Sequence, residues 1–217
     1  KDTDGLRAWN ELSLAYTESQ GLPELLEEVA STYSDRIKAE HVVECVPAEG
    51  ILLSAQACVH AGEAMIVTWP AYQSLYEVAM SRGADVHFWK ARGGGKEKLR
   101  FDVDDLVKAC DATPNLKVVS VNFPHNPTGA LPSSEEWARI VAICEARGAY
   151  LFADEIYRGL GPRTLESAAT AYDKGISLGG LSKSMGMPGV RIGWLATRDV
   201  RFLRRVAELR DYTTICS

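Results

Sequence analysis

One lysine in this 217-residue chain stands in an unusual setting. Lys183 follows a short apolar run, Ile176-Ser177-Leu178, by way of Gly179-Gly180-Leu181-Ser182, so it sits among small residues near a strand end. An amine placed this way loses its proton more easily than a solvated one, which suits it to form an imine. Eight positions on, Arg191 opens a second apolar stretch, Arg191 to Ala196, and carries the planar fork that grips oxyanions. Asp154 and Tyr157, three apart in Asp154-Glu155-Ile156-Tyr157, follow another apolar run and can point at one spot. The backbone amides of Glu49 and Gly50, opening an apolar helix, make a natural phosphate cradle with a helix dipole behind them. Each group also has a plainer reading. Ser-Lys in a loop is ordinarily surface, Arg191 a structural ion pair, and Asp154 and Glu155 two surface acids.

Hydrophobic periodicity gives the elements that must position these groups. Residues 1–20 read as irregular. Leu22, Leu25, Leu26, Val29, Tyr33 and Ile37 have helical spacing, with Pro23 tolerated in the first turn. Strands are expected at 42–46, 65–69, 86–89, 117–121, 150–153, 176–178 and 191–196. Helices are expected at 51–59, around Leu75 to Ala79, at 102–110, from the capping box Ser133-Ser134-Glu135-Glu136 to Arg147, at 164–172, and from Asp199 onward. Residues 90–100 read as a polar loop, since their glycine run lacks the spacing of a phosphate loop and no helix follows directly. Strands separated by helical crossovers predict a mainly parallel seven-stranded sheet in a three-layer α/β/α arrangement. The link before the last strand is too short for an easy crossover, so that strand is expected antiparallel. Ligands of such sheets bind beyond the carboxyl ends of the strands, where the strings above lie.

Composition narrows the classes. An apolar fraction of 46% with 24% charge is ordinary for a globular domain, and a net charge of −5 gives no case for nucleic acid or an anionic membrane. No run is long enough to cross a bilayer, and no signal-peptide pattern shows. Cys45, Cys58, Cys110, Cys144 and Cys216 are scattered without a Cys-x-x-Cys, which argues against a disulfide framework or a zinc site and fits a reducing cytoplasm. His41, His60 and His87 form no cluster, and His125 reads as an ordinary packed or solvated histidine. No metal site is expected.

Taken in order, Asn126-Pro127-Thr128-Gly129, Asp154-Glu155-Ile156-Tyr157, Gly-Leu-Ser-Lys at 180–183 and Pro188-Gly189-Val190-Arg191-Ile192-Gly193-Trp194 resemble the motifs of the class I and II aminotransferases. These are fold type I enzymes that use pyridoxal 5'-phosphate (PLP). The resemblance covers roughly residues 12–215. It implies that Lys183 carries PLP as an imine and, once displaced, shuttles a proton as general base. It further implies that Asp154 holds the pyridine nitrogen protonated, that Asn126 and Tyr157 bond the phenolic oxygen, and that Tyr72 in Pro70-Ala71-Tyr72 stacks on the ring. Arg191, Ser182 and the amides of Glu49 and Gly50 would hold the phosphate. Tyr16 resembles the tyrosine that reaches the phosphate of a neighbouring subunit, which implies a homodimer. Two positions depart from the family: Ala48-Glu49-Gly50, where Gly-Ala or Gly-Ser is usual, and Gly180, where many relatives have a phosphate-binding serine.

These observations divide the chain into an N-terminal segment and helix, 1–40, and a PLP-binding large domain, 41–217. The family's small C-terminal domain, which usually supplies the arginine for the substrate carboxylate, is expected to be missing. An aminotransferase acting on an amino acid and a 2-oxo acid is the leading expectation. Another PLP reaction (a lyase, a racemase, or an oxidase or cyclase of a basic amino acid) uses the same residues, and a truncated non-catalytic relative is a third possibility.

Overall fold

The computed structural model describes residues 3–13, 15–161 and 163–216. The elements in chain order are α1 (Thr3–Asn10), α2 (Pro23–Ser31), β1 (Val42–Cys45), α3 (Pro47–Cys58), β2 (Ala64–Trp69), α4 (Ser74–Ser81) and β3 (Asp85–Lys90). They continue with β4 (Arg92–Gly94), β5 (Glu97–Arg100), α5 (Val103–Asp111), β6 (Leu116–Asn122), α6 (Ser134–Arg147) and β7 (Tyr150–Asp154). The last are α7 (Ala168–Ala171), β8 (Gly175–Gly180), β9 (Gly193–Ala196) and α8 (Val200–Arg210). Seven strands form one sheet in the order β1-β9-β8-β7-β6-β2-β3. All neighbours are parallel except β9, which runs antiparallel to both β8 and β1. The short link before β9 therefore has the consequence its length implies.

Alternation along the strands divides the core between two faces. Met65, Val67, Val118 and Phe152 pack with Leu53, Leu75, Leu203 and Val206 of α3, α4 and α8. Their immediate neighbours Ile66, Val119, Leu151 and Ala153 pack with Leu106, Trp137 and Ile140 of α5 and α6. Helices thus cover both faces, as strands apolar on both sides require. A side chain as fully buried as Ile140 contributes about 1.5–3 kcal/mol.

Several boundaries differ from expectation. Residues 3–10 form a helix with Leu6 and Trp9 exposed, too short to show its period inside a mixed segment. Helix α2 stops at Ser31, and Tyr33 and Ile37 reach the core from irregular chain. The 90–100 segment is a hairpin, with β4 antiparallel to β5 and Gly93, Gly94 and Gly95 turning it at positive φ. Only 168–171 of the expected helix 164–172 is helical, because Ser167 caps it there through the Thr170 amide. Strand β9 starts at Gly193. Arg191 lies before it in a left-handed conformation (φ 60°), just after the short 3-10 turn Pro188–Val190.

Candidate active site

Beyond the carboxyl ends of β6, β7 and β8 lies a cleft of about 260 Å³ whose lining includes Tyr72, Asn126, Asp154, Tyr157, Ser182, Lys183 and Arg191. Seven residues singled out from separate strings therefore meet at one place. Ala48 and Asn122, neither singled out, line it as well.

Asp154 ends β7, in register with Asn122 on one side and Leu178 on the other. Its carboxyl is 5% exposed and accepts the Ile156 amide at 3.1 Å. Burial pushes its pKa up to about 6, only partly opposed by that hydrogen bond. The Asn122 amide donates to the Asp154 carbonyl at 2.8 Å, and its oxygen accepts the Asn126 amide at 2.7 Å. Asn122 so fixes the turn bearing Asn126 to the strand end bearing Asp154. Its only signal in the sequence was its place as the first residue after the strand.

Burial of this carboxyl makes stability depend on pH. Between the ordinary Asp value and about 6 the folded state binds more proton at Asp154 than the unfolded chain does. Stability of the unliganded protein therefore falls as pH rises through that window, by up to roughly 3 kcal/mol from this group. Glu155, pushed up to about 7 by burial, adds a fall of the same sign. Asp154→Asn is expected to remove its share, so that urea midpoints at pH 4.5 and 8 lie closer together than in wild type. An unchanged gap would refute the assignment.

Lys183 is exposed, not sheltered among small residues as its setting suggested, and its Nζ lies 5.9 Å from the Tyr157 ring centroid. Tyr72 is 48% exposed on the cleft wall and is no core tyrosine. Arg191 is exposed, lines the cleft and donates to the Pro188 carbonyl at 3.2 Å. Tyr16 is 83% exposed and does not line the cleft.

The phosphate cradle needs correction. Helix α3 begins at Pro47, so the Gly50 amide already makes the first intrahelical bond, to Val46 O at 2.8 Å. The N–H groups ahead of that bond, with no side-chain cap, are those of Ala48 and Glu49. Gly50 instead packs: a Cβ there would meet Cys45 Sγ at 2.8 Å and Leu178 Cδ1 at 2.9 Å. The Glu49 carboxylate is occupied by the hydroxyls of Thr213 and Thr214.

Gly180 has a local explanation too. A Cβ at 180 would approach Pro47 Cγ and Ile156 Cδ1 at 3.0 Å, and one at Gly193 would sit 2.6 Å from Pro47 Cγ. Proline in the first turn of α3 presses on the sheet, and glycines at 180 and 193 make the room. A serine at 180 would crowd that turn.

His125 is packed, with both ring nitrogens engaged. Nε2 donates to Pro70 O at 2.7 Å, and Nδ1 accepts the Thr128 hydroxyl at 2.8 Å. It is 2% exposed, and burial lowers its pKa, so the neutral tautomer with the proton on Nε2 is the one that fits. The ring joins the turn carrying Tyr72 to the turn carrying Asn126. His125→Phe is therefore expected to cost about 1–3 kcal/mol of stability, since it leaves the Pro70 carbonyl without its donor. Urea midpoints would test this, and an unchanged midpoint would count against it.

No helix among the described residues is long and apolar enough to cross a membrane. Residues 9–217 match the family described as aminotransferase class I and II. The aspartate aminotransferase of Geobacillus stearothermophilus is 30% identical over 223 residues, 96% of this chain and 55% of that protein. The capreomycidine synthase of Streptomyces vinaceus is 30% identical over 170 residues, 77% of this chain and 42% of its own length. A crystal structure of a PLP-dependent aminotransferase from Streptococcus suis superposes with a TM-score of 0.90 at 30% identity, covering 100% of this chain and 57% of that one. The chain spans about half the length of the curated relatives it matches.

Proposed function

The chain belongs to the class I and II aminotransferases, and from that premise we propose that it is the cofactor-binding portion of a PLP-dependent enzyme moving an amino group between an amino acid and a 2-oxo acid. The observation that carries the reading is the buried Asp154 carboxyl on the wall of the cleft that Lys183 also lines.

PLP suits the residues present. A carboxylate that burial disfavours gains from a cationic partner, and a protonated ring nitrogen is one. At the other end, two uncapped amides at a helix start, a hydroxyl at Ser182 and the Arg191 guanidinium make an oxyanion site. When bound, PLP supplies an aldehyde for the amino group and a ring that accepts electrons from the substrate alpha carbon. Asp154 would hold the ring nitrogen protonated, Tyr157 and Asn126 would donate to the phenolic oxygen, and Tyr72 would lie against the ring. Lys183 would carry the cofactor and would hold and move a proton at its Nζ.

Residues 41–217 are the cofactor domain in this reading, with 1–40 leading into it. An exposed Tyr16 is consistent with a homodimer in which it serves the neighbouring site. A cytoplasmic place in amino-acid biosynthesis and small-molecule partners alone complete the proposal. A second PLP chemistry is favoured by one observation, the 30% identity to a protein named as a synthase.

Full-length protein supplies the test. It should bind PLP and turn yellow, and an amino donor should bleach it while a 2-oxo acid restores the colour. Colour without this cycle would favour the second chemistry, and no uptake of PLP would indicate a non-catalytic relative.

A further inference from the structure

Beneath the cleft, on the α6 side of the sheet, three buried polar atoms have no hydrogen-bond partner among the described residues: Glu155 Oε2, Arg158 Nε and Trp137 Nε1. All three residues line one cavity of about 20 Å³. Glu155 is 8% exposed and Trp137 5%. Buried polar atoms seldom go unpaired, and this volume holds one water molecule. The chemistry of the lining selects water over an ion. An anion would face Glu155, and a cation would face the Arg158 guanidinium and an indole N–H. A water molecule accepts from Arg158 Nε–H and Trp137 Nε1–H on its two lone pairs and donates to Glu155 Oε2, leaving one hydrogen over.

The other Glu155 oxygen is already committed. It accepts the Ala168 amide at 2.8 Å and the Ser177 hydroxyl at 2.9 Å, tying the end of β7 to α7 and β8. The Arg158 amide donates to the Glu155 carbonyl at 2.8 Å, and the nearest guanidinium nitrogen stands 3.9 Å from Glu155 Oε2, too far for a direct hydrogen bond. Tyr157 lies within this turn, between the two.

We infer that one internal water, held by Glu155, Arg158 and Trp137, closes a buried clasp that makes Glu155 the positioning residue for Tyr157. Glu155 itself never faces the cleft. The clasp works from behind, holding the 155–158 turn against β8 and α6 while the phenol projects forward. The role given to Tyr157 rests on the reading above, whereas the water site does not.

A crystal structure of the full-length protein at a resolution that shows ordered solvent would test the site. A water peak within about 3.2 Å of all three atoms is expected. An empty cavity, or those atoms bonded to other side chains, would overturn the inference. Trp137→Phe, the mildest change, should keep the fold and lose one contact to the peak. Glu155→Leu should lose the water and shift the pH at which the bound cofactor's visible band changes, since a phenol at the phenolic oxygen sets that value. Glu155→Gln is the conservative check: its single amide oxygen is taken by the Ala168 amide and the Ser177 hydroxyl, so it turns an N–H donor toward the water and should weaken the peak and shift the band as Glu155→Leu does. A wild-type water with no band shift in Glu155→Leu would refute the positioning role. Failure to take up PLP would instead sink the proposed function and leave the water standing.

Discussion

Lys183→Ala in the full-length protein is expected to lower turnover by about 10⁴-fold or more while leaving stability within about 0.5 kcal/mol of wild type. The two halves of that result come from separate facts. Lys183 is exposed, with its Nζ 5.9 Å from the Tyr157 ring centroid, so truncation opens no cavity. Its amine is assigned two duties in sequence, attachment of the cofactor and transfer of the alpha proton, and groups with joint duties are lost together. Lys183→Arg decides between this and a simpler electrostatic role. A guanidinium keeps the positive charge at the cleft but does not deprotonate in proteins. If charge alone mattered, arginine would rescue. If the neutral amine matters, arginine should be as inactive as alanine. Intact mass after borohydride treatment gives a readout independent of turnover: a cofactor adduct on wild type and none on either variant. More than about a hundredth of wild-type turnover in Lys183→Ala would end the assignment.

Those residues were legible because their strings mark strand ends. Val118 to Val121 and Leu151 to Ala153 are apolar almost without interruption, as parallel strands buried on both faces must be, so the residues just after them fall at the carboxyl edge. The capping box at Ser133 and Glu136 and the stop at Gly148 were legible for the same local reason. The features that escaped needed either an exact register or a distant partner. Reading α3 as starting at Ile51 put the free amides one residue late. Pro47 was the available sign, since proline favours the first helical position and lacks the N–H that would be orphaned there. The β4–β5 hairpin has exposed residues throughout, so it lacks the apolar alternation that reveals a strand. Asn122 had no signal beyond following the expected strand, and its two hydrogen bonds appear only once β6 lies beside β7. Glu155 showed only as the neighbour of Asp154, because Ala168 and Ser177, which it holds, are remote in sequence.

Nothing in the sequence announced the pair with the largest expected effect on stability. Arg210 of α8 is completely buried, and its Nη2 lies 2.5 Å from an oxygen of Glu44, which is 3% exposed in the middle of β1. The same guanidinium donates to the Ser19 carbonyl at 2.7 Å and to the Thr214 hydroxyl at 3.3 Å. Arg210→Leu leaves a buried carboxylate without its countercharge and is expected to cost about 3–5 kcal/mol, and Glu44→Leu the same from the other side. The double variant should recover most of that loss. A well-packed apolar pair in place of a buried ion pair is often neutral or better, because both desolvation penalties vanish together. Urea midpoints of the four proteins form the test, and a double variant as weak as the sum of the singles would show that packing, not charge, explains the loss. The consequence for function runs through Thr214, whose hydroxyl also reaches the Glu49 carboxylate at 2.9 Å. Arg210, Thr214 and Glu49 thus brace the first turn of α3, where the Ala48 and Glu49 amides would meet phosphate. The double variant is therefore expected to regain stability but not full PLP affinity, since leucine at 210 restores the core and not the hydrogen bond to Thr214.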